Sequence, residues 1–257
     1  MIAGDSATSK EHADGRFAAY DRPVDAPFVW RDEHIAADLG PARVLFTTRR
    51  GGVSSGPYAS LNLGANTGDG RAKIAENRQR LAAMTGAGLA LGRQVHGTQV
   101  RHVDEPGHAG EADGQAATRS GVACTVLTAD CLPIALISPR GVAMLHAGWR
   151  GLAAGVLEEG ITALGAQGSI VAAIGPGAAR CCYEVGDEVR AAFADEADDV
   201  REGNTIDLPL IAQRRLCRAG LTEIHHTGLC TMCDARFFSH RRDGGVTGRQ
   251  AGVAWLT

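Results

Sequence analysis

Apolar positions in this chain come in short runs separated by glycine, proline and small polar residues, with few amphipathic stretches long enough for helices. Residues 43–48 (Arg-Val-Leu-Phe-Thr-Thr) form the first run that reads as a strand, and a loop dense in turn formers, Gly51-Gly52-Val53-Ser54-Ser55-Gly56-Pro57, follows it. Asp69 then stands where an N-cap is expected for a helix over 71–85, with Ile74, Leu81 and Met84 at inward spacing and Gly86 as its stop. The centre of the chain is the most strand-like. Runs at 122–128 and 134–137 precede one at 142–145, and the Pro139-Arg140-Gly141 turn predicts a hairpin. The spacing predicts a helix over 152–164 ending at Gly165, then a buried strand over 170–174 closed by Gly175-Pro176-Gly177. Asp207 is placed to cap a further helix with Pro209 in its first turn, ending near Gly220, and 252–256 read as a closing strand.

This order mixes hairpins with helices and lacks the regular strand–helix alternation of a barrel or doubly wound sheet. The fold class is therefore mixed α/β. No internal repeat or linker divides the chain, so residues 27–257 read as a single domain. Residues 1–26, polar and rich in Ala and Asp, read as a flexible tail.

A chain of 257 residues, 44% hydrophobic and 21% charged, has the composition of an ordinary globular protein able to bury a sizeable core. Its formal charge of −3 argues against bulk electrostatic binding of nucleic acid. No apolar stretch reaches the ~20 residues of a membrane span, and the first residues lack the apolar segment of a signal peptide. Seven cysteines, an odd number at uneven spacing, do not suggest a disulfide framework. The expectation is a cytoplasmic protein with free thiols, and a monomer is compatible with it.

Three segments carry the strongest chemistry. His146 ends the run Val142-Ala143-Met144-Leu145 and opens Ala147-Gly148-Trp149-Arg150-Gly151, where small residues allow close approach of backbone and ligand. His96 lies in Gln94-Val95-His96-Gly97, and Cys131 ends Thr128-Ala129-Asp130-Cys131. A thiolate and two imidazoles suit zinc, with copper possible, and three protein ligands leave a fourth position for water or substrate. A water bound there would be acidified toward neutrality. Asp130 is placed to orient a ligand or act as general base. The competing reading is a buried cysteine and two hydrogen-bonded histidines.

Other groups are less specific. Cys230 and Cys233 form a CxxC downstream of His225-His226, compatible with a metal site or an incidental dithiol. Cys182, after the 175–177 turn, is a candidate nucleophile or simply a small apolar residue, and Cys181 favours the latter. Arg49 and Arg150 have the forked donors that suit phosphate, and Asn62 an amide that could meet a polar ligand.

The ordered set Thr47-Thr48-Arg49, Gly51-Gly52-Val53-Ser54, Ser60-Leu61-Asn62-Leu63-Gly64, Gln94-Val95-His96-Gly97, Thr128-Ala129-Asp130-Cys131 and His146-Ala147-Gly148-Trp149-Arg150-Gly151 continues with Cys182-Tyr183-Glu184-Val185-Gly186, Phe237-Phe238-Ser239, Arg241-Arg242-Asp243-Gly244 and Thr247-Gly248-Arg249-Gln250. It resembles the YfiH-like family, once called the multicopper polyphenol oxidoreductase or laccase domain. The likeness covers residues from about 40 to 257, and His240 stands where that family commonly has an aromatic. The resemblance implies a four-layer α/β/β/α sandwich around a mixed β-sheet core, with one zinc on residues matching His96, Cys131 and His146. It also implies phosphorolysis of adenosine, inosine, guanosine and methylthioadenosine, with deamination of adenosine, so that the partners are a purine nucleoside and phosphate. Alternatives are editing of a cell-wall precursor, copper-dependent phenol oxidation, or a non-catalytic metal- or nucleotide-binding module. Multicopper chemistry needs grouped histidines, and nine scattered ones with no HxH pair do not supply them.

Overall fold

The hairpin expected at mid-chain lies at the heart of the structure, a computed structural model that describes residues 23–165 and 168–257. The strands are β1 (Val29–Arg31), β2 (His34–Leu39), β3 (Ala42–Phe46), β4 (Gly88–Arg93), β5 (Val100–His102), β6 (Gly107–Glu111), β7 (Gly114–Ala117) and β8 (Val122–Thr128). They continue with β9 (Leu132–Ser138), β10 (Gly141–Ala147), β11 (Val171–Ile174), β12 (Arg201–Glu202), β13 (Thr205–Ile206), β14 (Glu223–His226) and β15 (Gln250–Leu256). The helices are α1 (Arg71–Thr85), α2 (Trp149–Ala154), α3 (Val156–Ala163), α4 (Asp187–Ala192) and α5 (Leu208–Arg218). Of the tail expected over 1–26, residues 1–22 lie outside the described residues.

Two mixed sheets stack face to face, one in the order β1-β2-β3-β15-β8-β4-β6 and the other β14-β11-β9-β10-β7-β5. The β9–β10 hairpin is antiparallel, whereas β4 runs parallel to both β8 and β6. Phe46, Val126, Ile137, Val142, Met144 and Ala254 fill the space between the sheets. Leu81 of α1 joins Leu45, Ala123 and Val253 on the outer face of the first sheet. Leu157 of α3 and Ile211 and Leu216 of α5 cover the other with Leu136, Leu145 and Ile174. The result is the four-layer α/β/β/α sandwich. Each of these large apolar side chains contributes roughly 1.5–3 kcal/mol on burial, so the sandwich interior is the rigid frame on which the loops are mounted. Among the described residues, no helix is long and apolar enough to cross a membrane.

Local expectations hold in part. Asp207 caps α5 by accepting from the Leu210 N–H at 3.0 Å. Asp69 does not cap α1: Gly70 is the N-cap residue, and Asp69 bonds the Gly70 N–H and the Asn62 amide instead. Met84 is 43% exposed, while Asn77 occupies the buried face beside Ile74 and Leu81. The expected helix over 152–164 is two helices, because Gly155 at φ 102° caps α2 and starts α3. Between α1 and β8 the chain forms four strands, β4 to β7, which the pattern did not announce. β4, β6 and β7 are built largely of Gly and Ala, which carry little strand signal of their own, and β5 is only three residues long.

Candidate metal centre

The connections β4–β5, β6–β7 and β8–β9 each carry the chain from one sheet to the other. His96 lies in the first, Asp113 in the second and Cys131 in the third, while His146 lies near the end of β10, paired across from Pro133. The crossings therefore gather at one end of the sandwich residues that are distant in sequence. The metal-capable atoms of His96, Cys131 and His146 lie within 4.8 Å of one another. The imidazoles are edge-to-face, with centroids 4.9 Å apart. His146 is buried, Cys131 is half-buried and His96 is exposed, so the cluster opens to solvent on the His96 side.

Asp113, fully buried, orients the group. Its Oδ1 lies 2.8 Å from His146 Nδ1 and accepts the His96 N–H at 2.9 Å, and its Oδ2 accepts the N–H groups of Val95 and Gly97. This holds His96 in the left-handed region at φ 61°, a conformation that costs energy and persists only when its surroundings impose it. With Nδ1 of His146 engaged, Nε2 is left to face the cluster. Gln94 pins the same loop to β8 through both amide atoms, donating to Leu127 O and accepting from its N–H at 2.8 Å each. Close approach also needs Gly148: a Cβ there would lie 2.9 Å from the His96 ring and 3.0 Å from Cys131 Sγ.

The electrostatics suit a cation. Burial disfavours ionisation of Cys131, but His146 and His96 outweigh it and bring the thiol down to about 6. Burial likewise opposes protonation of His146, yet Cys131 and Asp113 raise it to about 9. Both shifts run in the direction that favours a thiolate beside an imidazolium. A soft divalent ion would replace the imidazolium proton, and this two-nitrogen, one-sulfur donor set fits zinc or copper. Burial would raise the Asp113 carboxyl, but His146 and the loop N–H groups hold it below the usual range.

The other sequence candidates fall in different places. Asp130, at φ 90°, accepts from Thr231 Oγ1 at 2.7 Å and the Arg241 N–H at 2.8 Å, so it braces two loops and Asp113 is the carboxylate that orients a ligand. Asn62 is not free to meet a ligand. It is fully buried, its Nδ2 donates to Thr67 and Asp69, and its Oδ1 accepts from Gly64 and Arg249, which uses its full capacity. Cys182 belongs to a separate group with Cys181, Cys230 and Cys233, where burial and the adjoining thiols push its pKa up, opposite to what a nucleophile needs. Arg49 stacks on Phe238 with its centre 4.7 Å from the ring and donates through Nε to Ala59 O at 2.7 Å. Arg150 stacks on Trp149 at 4.1 Å and pairs with Glu188 at 3.2 Å on the surface.

Sequence reasoning missed three neighbours. Asp113 sits in an Asp-Gly pair that reads as a turn. Burial lowers the pKa of Arg249, opposed by the charges of Cys131 and Asp130, and its guanidinium donates to Thr247 O at 3.1 Å and Gly248 O at 2.9 Å. Its own quoted segment, Thr247-Gly248-Arg249-Gln250, was the available signal. Tyr183 is pushed up to about 12 by burial and the nearby Cys131 charge, a position visible only in three dimensions.

Comparison with known proteins places these features in a wider set. A family model described as Multi-copper polyphenol oxidoreductase laccase matches residues 43–257. The chain is 42% identical over 231 residues to Purine nucleoside phosphorylase PA4543 of Pseudomonas aeruginosa, covering 84% of this chain and 95% of that protein. It is 40% identical over 227 residues to Purine nucleoside phosphorylase YfiH of Escherichia coli (strain K12), covering 82% and 92%. The crystal structure of Neisseria meningitidis protein NMB0706 superposes with a TM-score of 0.80 at 34% identity, over 88% of this chain and 99% of that one. That of Bacillus licheniformis hypothetical protein YfiH gives 0.83 at 27% identity, over 91% and 100%.

Proposed function

This chain belongs to the family described as multi-copper polyphenol oxidoreductase laccase, and from that premise we propose that it is a zinc-dependent purine nucleoside phosphorylase that also deaminates adenosine. The observation that carries the metal part is the convergence of His96, Cys131 and His146 under the Asp113 carboxylate, open on one side. The names of relatives about 40% identical over nearly their whole length support the reaction class. When bound, the ion would supply Lewis-acid polarisation of a substrate oxygen or an acidified water.

The chain's own residues have distinct parts. Asp113 keeps His146 in the tautomer that presents Nε2, and Gly148 keeps the wall thin enough for the three donors to converge. Arg249, which feels the charges of Cys131 and Asp130, would receive the phosphate, with Arg150 and Arg49 as flanking cations. Trp149 lies under the Arg150 guanidinium and holds that flanking cation in place. Tyr183, a phenol kept protonated by burial, would donate a hydrogen bond to a substrate heteroatom.

The donor sets do not favour multicopper oxidation. Among the described residues, the metal-capable groups are this trio and one all-cysteine group, and neither gathers the several histidines such clusters need. The test is to assay metal content in wild type and Cys131→Ala, then incubate each with adenosine or inosine, with and without phosphate. Phosphate-dependent release of free base that disappears with the metal is expected. Turnover that survives metal loss would refute the metal mechanism. A metal-loaded protein inert toward nucleosides would refute the phosphorylase reading and point to precursor editing.

A further inference from the structure

Cys181, Cys182, Cys230 and Cys233 are brought together from two loops 48 residues apart, with all four sulfurs within 4.8 Å of one another. Four of the separations are short: 3.6 Å for Cys181–Cys182, and 3.3 Å for Cys181–Cys233, Cys182–Cys230 and Cys182–Cys233. A zinc ion with four sulfurs at about 2.3 Å sets them about 3.8 Å apart along tetrahedral edges, close to this arrangement. A disulfide needs about 2.05 Å, and these cysteines are free thiols. Ordinary packing does not account for the cluster either, since Cys181 and Cys233 are exposed and gain little by burial.

We propose that these four cysteines form a second, closed metal site that holds a structural zinc ion, distinct from the open His96–Cys131–His146 centre. Cys230 and Cys233 sit at CxxC spacing in a turn, a spacing at which paired cysteines hold zinc. On binding, the four thiols release their protons to solvent and no electrons move. A fully closed four-sulfur shell leaves no position for substrate, which makes the role structural.

The position gives that role a purpose. Gly177 bridges to Cys230, and the Thr231 N–H donates to Gly177 O at 3.0 Å, so the two cysteine-bearing loops already touch. Thr231 Oγ1 reaches Asp130, the neighbour of Cys131, and Tyr183 follows Cys182 directly. A zinc ion here would clamp the loop that carries Tyr183 to the loop that braces Asp130, fixing the rim of the open centre.

The test counts zinc in the full-length chain, expressed with zinc and dialysed under reducing conditions. Wild type is expected to carry two equivalents. His96→Ala/Cys131→Ala, which dismantles the open centre, is expected to keep one. Cys230→Ser/Cys233→Ser is expected to lose one and to react faster with a thiol reagent at Cys181 and Cys182. Should that variant fail to fold, the His96→Ala/Cys131→Ala variant loaded with cobalt(II) still decides. It should show the intense thiolate-to-cobalt absorption of a four-sulfur tetrahedral site. Zero metal in His96→Ala/Cys131→Ala, or a disulfide within the cluster found by mass spectrometry, would overturn the proposal. Neither result depends on nucleoside turnover, so this site and the phosphorylase reading stand or fall separately.

Discussion

Asp113 Oδ1 lies 2.8 Å from His146 Nδ1 while the same carboxylate accepts the N–H groups of the loop that carries His96. One buried side chain thereby fixes the ring orientation of one candidate ligand and the backbone of another. Asp113→Asn keeps the volume but turns an NH2 group toward groups that donate. Metal affinity is expected to fall roughly 10- to 100-fold, the usual effect of removing a partner behind a ligand, measured by competition with a chromophoric chelator. Affinity equal to wild type would show that the carboxylate does not position the ligands.

Gly148→Ala tests the close approach directly. The backbone at Gly148 (φ −71°) accepts alanine, so the new methyl group acts through its 2.9 Å and 3.0 Å contacts with His96 and Cys131. Metal affinity should drop at least about tenfold through displaced ligands. The melting temperature of the metal-free protein should change little, because no buried apolar group is lost. A large drop in the melting temperature of that apo form would mean the glycine serves packing instead.

Asn62→Ala separates scaffold from binding. The substitution strands the Gly64 and Arg249 N–H groups along with the Thr67 and Asp69 side chains, and should cost about 2–4 kcal/mol in denaturant unfolding. Metal content should be retained. Unchanged stability with a raised KM for nucleoside would instead make Asn62 a ligand contact.

Arg249→Ala should raise the KM for phosphate by about tenfold or more, with a smaller effect on the KM for nucleoside, as expected when a charge-assisted contact is removed. Steady-state kinetics at varied phosphate would check it. Equal effects on both substrates would assign the anion site elsewhere.

Glu196 provides a pH test away from the site. Its fully buried carboxylate accepts from Arg218 at 2.6 Å and 3.0 Å and from Arg215 at 3.1 Å. Burial opposes its ionisation, but the two guanidinium groups prevail and set its folded pKa below the ordinary 4.5. A lowered carboxylate pKa stabilises the fold above the unfolded value, and that contribution is lost as pH falls through the folded value. Glu196→Gln is therefore expected to cost about 1–3 kcal/mol near pH 7, less than a fully enclosed pair because Arg218 is half exposed. The difference from wild type should narrow below pH 4.5. A gap that stays constant down to pH 3 would assign the loss to packing.

Local pattern was enough wherever an element carries its own signal. The β9–β10 hairpin follows from two apolar runs and a Pro139-Arg140 turn, α5 from the Asp207 cap, and β15 from the terminal apolar run. The cluster of His96, Cys131 and His146 was legible as three chemically distinctive residues beside small or glycine neighbours. The pattern failed where environment overrides propensity. Strands β4 and β7 carry glycine where a crossing loop or a neighbouring strand lies against them, as at Gly92, where a Cβ would meet Ala112 O at 2.7 Å, and at Gly114, where it would meet Leu145 at 2.7 Å. Met84 has inward helical spacing, but Asn77 takes the buried face because the glycine loop needs its amide, which bonds Val53, Ser54 and Asn62.

By itself, then, the sequence determined the donor types, the central hairpin and the mixed class of the fold, since each depends on residues close in the chain. Only the tertiary structure decided which side chains serve those donors. The sheet crossings bring Asp113 under His146, and loop packing leaves Asn62 and Asp130 as braces. Contact between the loop after β11 and the loop after β14 sets Cys181-Cys182 against the CxxC. Such partnerships depend on packing between segments far apart in sequence, where no local periodicity records the contact.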